Sequence, residues 1–168
     1  MALSLAQQLL GRDGLDSGER HALVESALRL RRAALDEGRA LPLVGRHVVI
    51  AGGDGESPSA RLFERAASGL GARVSRIGSE GLLEGHARAR HAARMLGSLY
   101  DAVDCISCMP EWARELQEVA GVPVYSDLGG HASPLRELLP ALGQQQPTSS
   151  PDESLVCLMQ AVLIATMP

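Results

Sequence analysis

Phe63-Glu64-Arg65-Ala66-Ala67-Ser68-Gly69-Leu70-Gly71-Ala72-Arg73-Val74 reads as a helix running into a strand. The helix spans roughly Ser59 to Leu70 and the short strand Arg73 to Ile77. Upstream, His47-Val48-Val49-Ile50-Ala51 is an apolar run suited to a buried strand, and it enters Gly52-Gly53-Asp54-Gly55 directly. Before that, a helical pattern covers about Ser17 to Glu37. Leu23, Ala27, Leu28, Leu30 and Ala34 form its apolar side, and Gly38 ends it.

Downstream the alternation continues. A loop of Gly, Ser and Glu leads to a helix over about Gly85 to Leu99, then a third strand over Asp101 to Ser107. A helix over Pro110 to Val119 has Pro in its first turn, where a missing N–H matters little. Val122 to Tyr125 is a fourth strand, and Ser133 to Leu142 a helix with Pro134 at its start. Gly143 to Pro151 has linker composition, and a capped apolar helix follows from about Asp152 to Thr166. Strand-helix alternation with short links predicts an α/β fold: a doubly wound four-stranded parallel sheet, order 2-1-3-4, with helices on both faces. Ligands bind such sheets beyond the carboxyl ends of the strands. Here that rim comprises Gly52 to Ser59, Ser107 to Pro110 and Asp127 to Ser133.

Composition narrows the chemistry. The 168 residues suffice for one domain with a sizeable core. Phe63, Tyr100, Trp112 and Tyr125 are the only aromatic side chains, so the core must come from Leu, Val, Ile, Ala and Met. The net charge of −4 offers no field for nucleic acid. No Lys occurs, which excludes Schiff-base chemistry at Lys and a Walker A loop. Three Cys with no export signal at the start suggest a reduced, cytoplasmic protein. No apolar run is long enough to cross a membrane, the segment Leu155 to Met167 being too short.

The opening stretch closely resembles the Phe-Glu-x-Ala-x-x-x-Leu-Gly-x-x-Val segment of the aspartate and ornithine carbamoyltransferases. The run Ala93-Arg94-Met95-Leu96-Gly97-Ser98-Leu99-Tyr100-Asp101-Ala102 is similar to that family's Ala-Arg-Val-Leu-Gly-Arg-Met-Tyr-Asp-Ala segment. Val122-Pro123-Val124-Tyr125 resembles its Val-Pro-Val-Trp/Ile strand, and Leu41 to Arg46 its entry into the first strand. Together these cover about residues 15 to 142. The resemblance implies the carbamoyl-phosphate (N-terminal) domain alone: residues 1–143 as the domain, 144–151 as a linker in place of the second domain, and 152–168 as a helix packing back. It also implies a homotrimer.

The family's chemistry is not matched residue by residue. Its phosphate-holding Ser-Thr-Arg-Thr-Arg falls, without a gap, on Glu56-Ser57-Pro58-Ser59-Ala60. Its Arg after the third strand falls on Ile106, and its His-Pro-Thr-Gln on Ser133-Pro134-Leu135-Arg136. The Lys-bearing loop lent by a neighbouring subunit reads Glu84-Gly85-His86-Ala87-Arg88-Ala89-Arg90. Carbamoyl transfer needs preorganised donors on the leaving phosphate and the carbamoyl oxygen, and losing one costs about 2.7–4 kcal/mol. Without an amine-binding domain, proximity is lost as well.

The candidate residues are therefore those of a binding rim, with no catalytic or metal-binding residue and no cofactor expected. Ser57 or Ser59 would donate to an anion at a helix N-terminus or act as the N-cap, and Asp54 and Glu56 would repel an anion. Arg61, Ser133 and Arg136 complete the set, and His86, Arg88 and Arg90 form a positive inter-subunit loop. His131 is a displaced candidate for the family His. Cys105-Ile106-Ser107-Cys108 has no partner pair and no helix start after its first Cys, so it reads as core cysteine. The expected partners are copies of the chain, a separate chain of the same family, or a small anion such as phosphate or carbamoyl phosphate; nucleic acid and membrane are not expected. The leading reading is a non-catalytic assembly, regulatory or anion-binding domain. The alternatives are a transferase completed by a partner and an unrelated nucleotide-binding domain.

Overall fold

β1 (His47–Ala51) lies inside the sheet because four of its residues, Val48 to Ala51, can be buried on both sides. It pairs in parallel with β2 (Arg73–Ile77) on one side and β3 (Ala102–Cys105) on the other, and β3 pairs in parallel with β4 (Val124–Ser126). The strand order is 2-1-3-4, as the sequence predicts. The register sets Ile50 level with Arg76 and Asp104, and Cys105 level with Ala51 and Ser126. The computed structural model describes residues 14–35, 41–53, 56–78, 86–145 and 149–167.

The helices are α1 (Ser17–Leu35), α2 (Pro58–Gly69), α3 (His86–Leu99), α4 (Pro110–Ala120), α5 (Leu139–Gln145) and α6 (Pro151–Thr166). Successive strand residues face opposite ways, and this splits the core into two layers. Val48 and Ile50 pack with α1, α2 and α6. Val49, Ala51, Val103 and Cys105 pack with Ala93 and Leu96 of α3 and Trp112 and Leu116 of α4. β2 is an edge strand with Arg73 and Arg76 exposed, and such charges discourage further strand pairing.

The Leu70-Gly71 turn of the opening stretch has a steric cause. Gly71 has φ +90°, and a Cβ there would come within 2.7 Å of Val44 Cγ2. α3 and α4 meet at Gly97, where a Cβ would sit 1.9 Å from the Ala120 carbonyl oxygen. α6 starts in a capping box: Ser150 Oγ accepts from Glu153 N at 3.2 Å, and Glu153 Oε2 accepts from Ser150 N at 3.1 Å. It packs against α1 and α2. Leu155, Leu158, Met159 and Leu163 are fully buried, each worth about 1.5–3 kcal/mol of apolar burial. Gln160 Nε2 donates to the Ala66 carbonyl of α2 at 3.2 Å. The Tyr125 hydroxyl of β4 is hydrogen-bonded to Thr166 of α6, and burial pushes its pKa well up.

Three expected boundaries move. β3 ends at Cys105, not Ser107, because Ser107 takes φ +56° and turns the chain back. The Pro123 carbonyl accepts from Val103 N at 3.0 Å, but Pro has no N–H, so the β4 ladder begins at Val124. The single helix expected over Ser133 to Leu142 is a 3₁₀ segment, Pro134–Leu138, followed by α5. Pro140 cannot donate to the Arg136 carbonyl, and the Leu139 N–H binds that carbonyl instead. The predicted end of the first helix at Glu37, the Asp54-Gly55 turn, the Glu84-Gly85 loop segment and the middle of the linker lie outside the described residues.

Candidate functional site at the carboxyl rim of the sheet

A cleft of about 620 Å³ opens beyond the carboxyl ends of the strands. Its walls are the first turns of α2, the end of β3 with Ile106 and Ser107, the loop after β4, and Asp152 at the start of α6. Four of the five predicted rim residues line it: Ser57, Ser59, Arg61 and Arg136. Ser133 does not. It is buried, and its Oγ accepts from Leu135 N at 3.4 Å, which makes it a cap of the 3₁₀ segment. His131 also lines the cleft. Arg90 is exposed on α3 and is not among the lining residues, while the side chains of His86 and Arg88 lie outside the described residues.

Ser57 is the N-cap of α2, with its Oγ accepting from Ala60 N at 3.2 Å and lying 3.1 Å from Ser59 Oγ. Arg61 brackets the Glu56 carbonyl with Nε at 3.1 Å and Nη2 at 2.8 Å, which closes the turn ahead of the helix. The Glu56 carboxylate, expected to repel an anion, is drawn toward β2: Arg76 Nη1 lies 3.0 Å from Glu56 Oε1 and also pairs with Glu64. Arg76 is held more basic than usual by its hydrogen bond to Glu64. Glu56 is not among the residues lining the cleft.

The far wall is pinned by Arg136. Its Nε donates to the Gly130 carbonyl at 2.8 Å and its Nη2 to the Gly129 carbonyl at 3.1 Å. Two of its five N–H groups therefore shape the loop, and the fork does not extend across the cleft as one free cation. The loop is tight. Asp127 has φ +51°, and a Cβ on Gly130 would sit 2.3 Å from Asp127 Oδ2. A Cβ on Gly129 would approach the Ser59 carbonyl at 2.9 Å, so the loop lies directly on the start of α2.

Two residues were missed by the sequence reading. Arg65 lines the cleft one helical turn after Arg61, and that four-residue spacing was the available signal. Arg61, Arg65 and Arg136 thus share the cleft lining with Asp127 and Asp152. Asp104 lies beneath it, fully buried in β3, with Oδ1 accepting from Leu128 N at 3.0 Å. Burial pushes its carboxyl up to about 7. The Leu128 N–H opposes that shift and the Asp127 charge adds to it. Among the described residues, Asp104 Oδ2 and Asp127 Oδ1 are buried without a hydrogen-bond partner.

A doubly wound parallel sheet with a cleft lined by three Arg and two Asp at its carboxyl rim defines the class. No protein-family model matches the chain. Among solved structures it is similar to ornithine carbamoyltransferase from Gloeobacter violaceus, with a TM-score of 0.64 and 25% identity over 83% of this chain and 45% of that one. The Pyrococcus furiosus ornithine carbamoyltransferase gives a TM-score of 0.70 and 19% identity, covering 84% of this chain and 46% of that one. The Thermus thermophilus enzyme gives 0.64 and 23%, covering 83% and 48%. The chain therefore has a carbamoyltransferase-like fold and spans about half the length of these proteins. No helix among the described residues is long and apolar enough to cross a membrane.

Proposed function

We propose that this chain is a degenerate carbamoyl-phosphate domain that binds a small anion, such as phosphate or carbamoyl phosphate, without turning it over. The observation that carries this reading is the 620 Å³ rim cleft, which keeps Arg61, Arg65 and Arg136 and the start of α2. Guanidinium groups and a helix N-terminus together suit an oxyanion. The positions that resemble the phosphate-holding motif instead carry Glu56, Ser57, Pro58, Ser59 and Ala60, and Ser57 is occupied as a cap. Polarising donors for a reacting carbamoyl group are therefore scarce. Residues 144–151 stand where a second domain would leave and return, and α6 is the returning helix. The chain assembles as a homotrimer and serves a regulatory or assembly role. A monomer mass by light scattering at high concentration would remove the trimer.

A second reading is a transferase completed by a separate chain, which the carbamoyltransferase-like fold supports. The two separate in one experiment. Titrating the pure protein with carbamoyl phosphate by calorimetry, then adding ornithine or aspartate and assaying the carbamoylated product, gives binding without product under the first reading. Robust turnover by the pure chain, lost in Arg61→Ala or Arg136→Ala, would overturn it.

A further inference from the structure

The two cysteines read from sequence as inert core residues meet at the end of β3. Cys105 is the last strand residue and is buried among Val49, Ala51 and Trp112. Ser107, with φ +56°, folds the chain back so that Cys108 returns over the strand end. The Cys108 sulfur then lies 3.6 Å from the Ala51 carbonyl and 3.6 Å from the Ile106 carbonyl. Gly52 makes room for it, since a Cβ there would stand 3.0 Å from Cys108 Sγ and 2.5 Å from the Ile106 oxygen. Cys105 is level with Ala51 across the β1–β3 pair, and both cysteines pack in the layer under α3 and α4. Cys105 is buried and Cys108 is partly exposed, two residues before α4 begins.

We propose that Cys105 and Cys108 form a redox-active dithiol that closes to an intramolecular disulfide by exchange with a low-molecular-weight disulfide. Cys108 is the attacking group, because it is the more exposed of the two and stands before a helix N-terminus, where negative charge is favoured. The neighbouring Cys105 thiol holds the Cys108 thiol below its ordinary value, while Cys105 is held well above its own by Cys108 and by burial. Burial and the Asp104 charge oppose the thiolate at Cys108 and do not cancel the first effect. In the first step the Cys108 thiolate attacks one sulfur of the small disulfide, forming a mixed disulfide and releasing one thiolate. Cys105 then gives up its proton to solvent base or to the departing thiolate. Its sulfur attacks Cys108 and expels the second thiol. The protein loses two hydrogens and two electrons, and the small disulfide becomes two thiols. The proposal does not depend on the anion reading.

The chain has no Lys, so trypsin cuts only at Arg, and both cysteines fall in the peptide Met95 to Arg114 while Cys157 falls in Glu137 to Pro168. The reduced full chain is equilibrated with glutathione buffers of rising oxidised fraction, quenched in acid, labelled with N-ethylmaleimide and digested. The expected result is a Met95 to Arg114 peptide without label and lighter by two hydrogens, at ratios where the same chain in urea still labels there and where Cys157 still labels. Cys105→Ser should trap glutathione on Cys108, and Cys108→Ser should leave Cys105 labelled only after unfolding. Full labelling of both cysteines across the whole range would overturn the proposal. So would equal oxidation of folded and unfolded chains, or glutathione trapped first on Cys105.

Discussion

Replacing Asp104 with Asn should stabilise the protein at neutral and alkaline pH and not at acid pH. The wild-type carboxyl titrates at 3.8 in a solvated setting and at about 7 in the folded chain, where it is fully buried. Below 3.8 both states carry the proton and the group adds no penalty. As pH rises past that point the unfolded chain ionises while the folded chain holds its proton, so folding loses about 1.4 kcal/mol per pH unit. The loss levels off near pH 7, once the folded carboxyl also ionises, at about 4 kcal/mol in total. Asp104→Asn keeps an oxygen for the Leu128 N–H and has nothing to titrate. Urea unfolding of both proteins, followed by circular dichroism at matched pH between about 4 and 8, isolates the effect, since other carboxylates cancel in the difference. The variant should gain on the wild type by about 4 kcal/mol across that range. A difference that does not change with pH, or one that favours the wild type as pH rises, would refute the reasoning.

Two further changes test the packing. Leu158→Asp puts a carboxylate at a fully buried position of α6 and should lower stability by at least about 3 kcal/mol, with unchanged melting showing that the helix does not dock. Gly97→Ala places a Cβ 1.9 Å from the Ala120 carbonyl and must part α3 from α4, costing about 1–3 kcal/mol in a denaturant titration; a neutral result would mean that the helices are not that close.

Much of the fold was legible because its elements are locally consistent. The run Val48 to Ala51, rich in β-branched residues and followed by Gly52, suits a strand buried on both sides, and the helix Pro58–Gly69 carries Ala60, Phe63, Ala66 and Ala67 on one buried side. The rim residues followed from topology, since the parallel strands all end at one rim and their order reverses between β1 and β3. The remainder depends on interactions that periodicity does not encode. Asp104 sits in a strand otherwise read as apolar, and only the loop folded over it reveals a buried acid. The meeting of Cys105 and Cys108 depends on one left-handed residue, Ser107, which carries no turn signature in the sequence. Glu56 was counted against an anion because its pairing with Arg76 joins residues twenty apart. Arg136 was placed in the anion-binding set, yet two of its N–H groups are held by the Gly129 and Gly130 carbonyls.

The central claim, anion binding without transfer at the carboxyl rim, is tested most directly by calorimetric titration of carbamoyl phosphate into wild type and Arg65→Ala. The account predicts saturable binding in the wild type and a loss of at least about tenfold in the variant, as expected for removing one charged hydrogen bond from an oxyanion. It also predicts no carbamoylated ornithine or aspartate from either protein. Equal affinity in both proteins, no binding at millimolar ligand, or product formed by the wild type alone would contradict it.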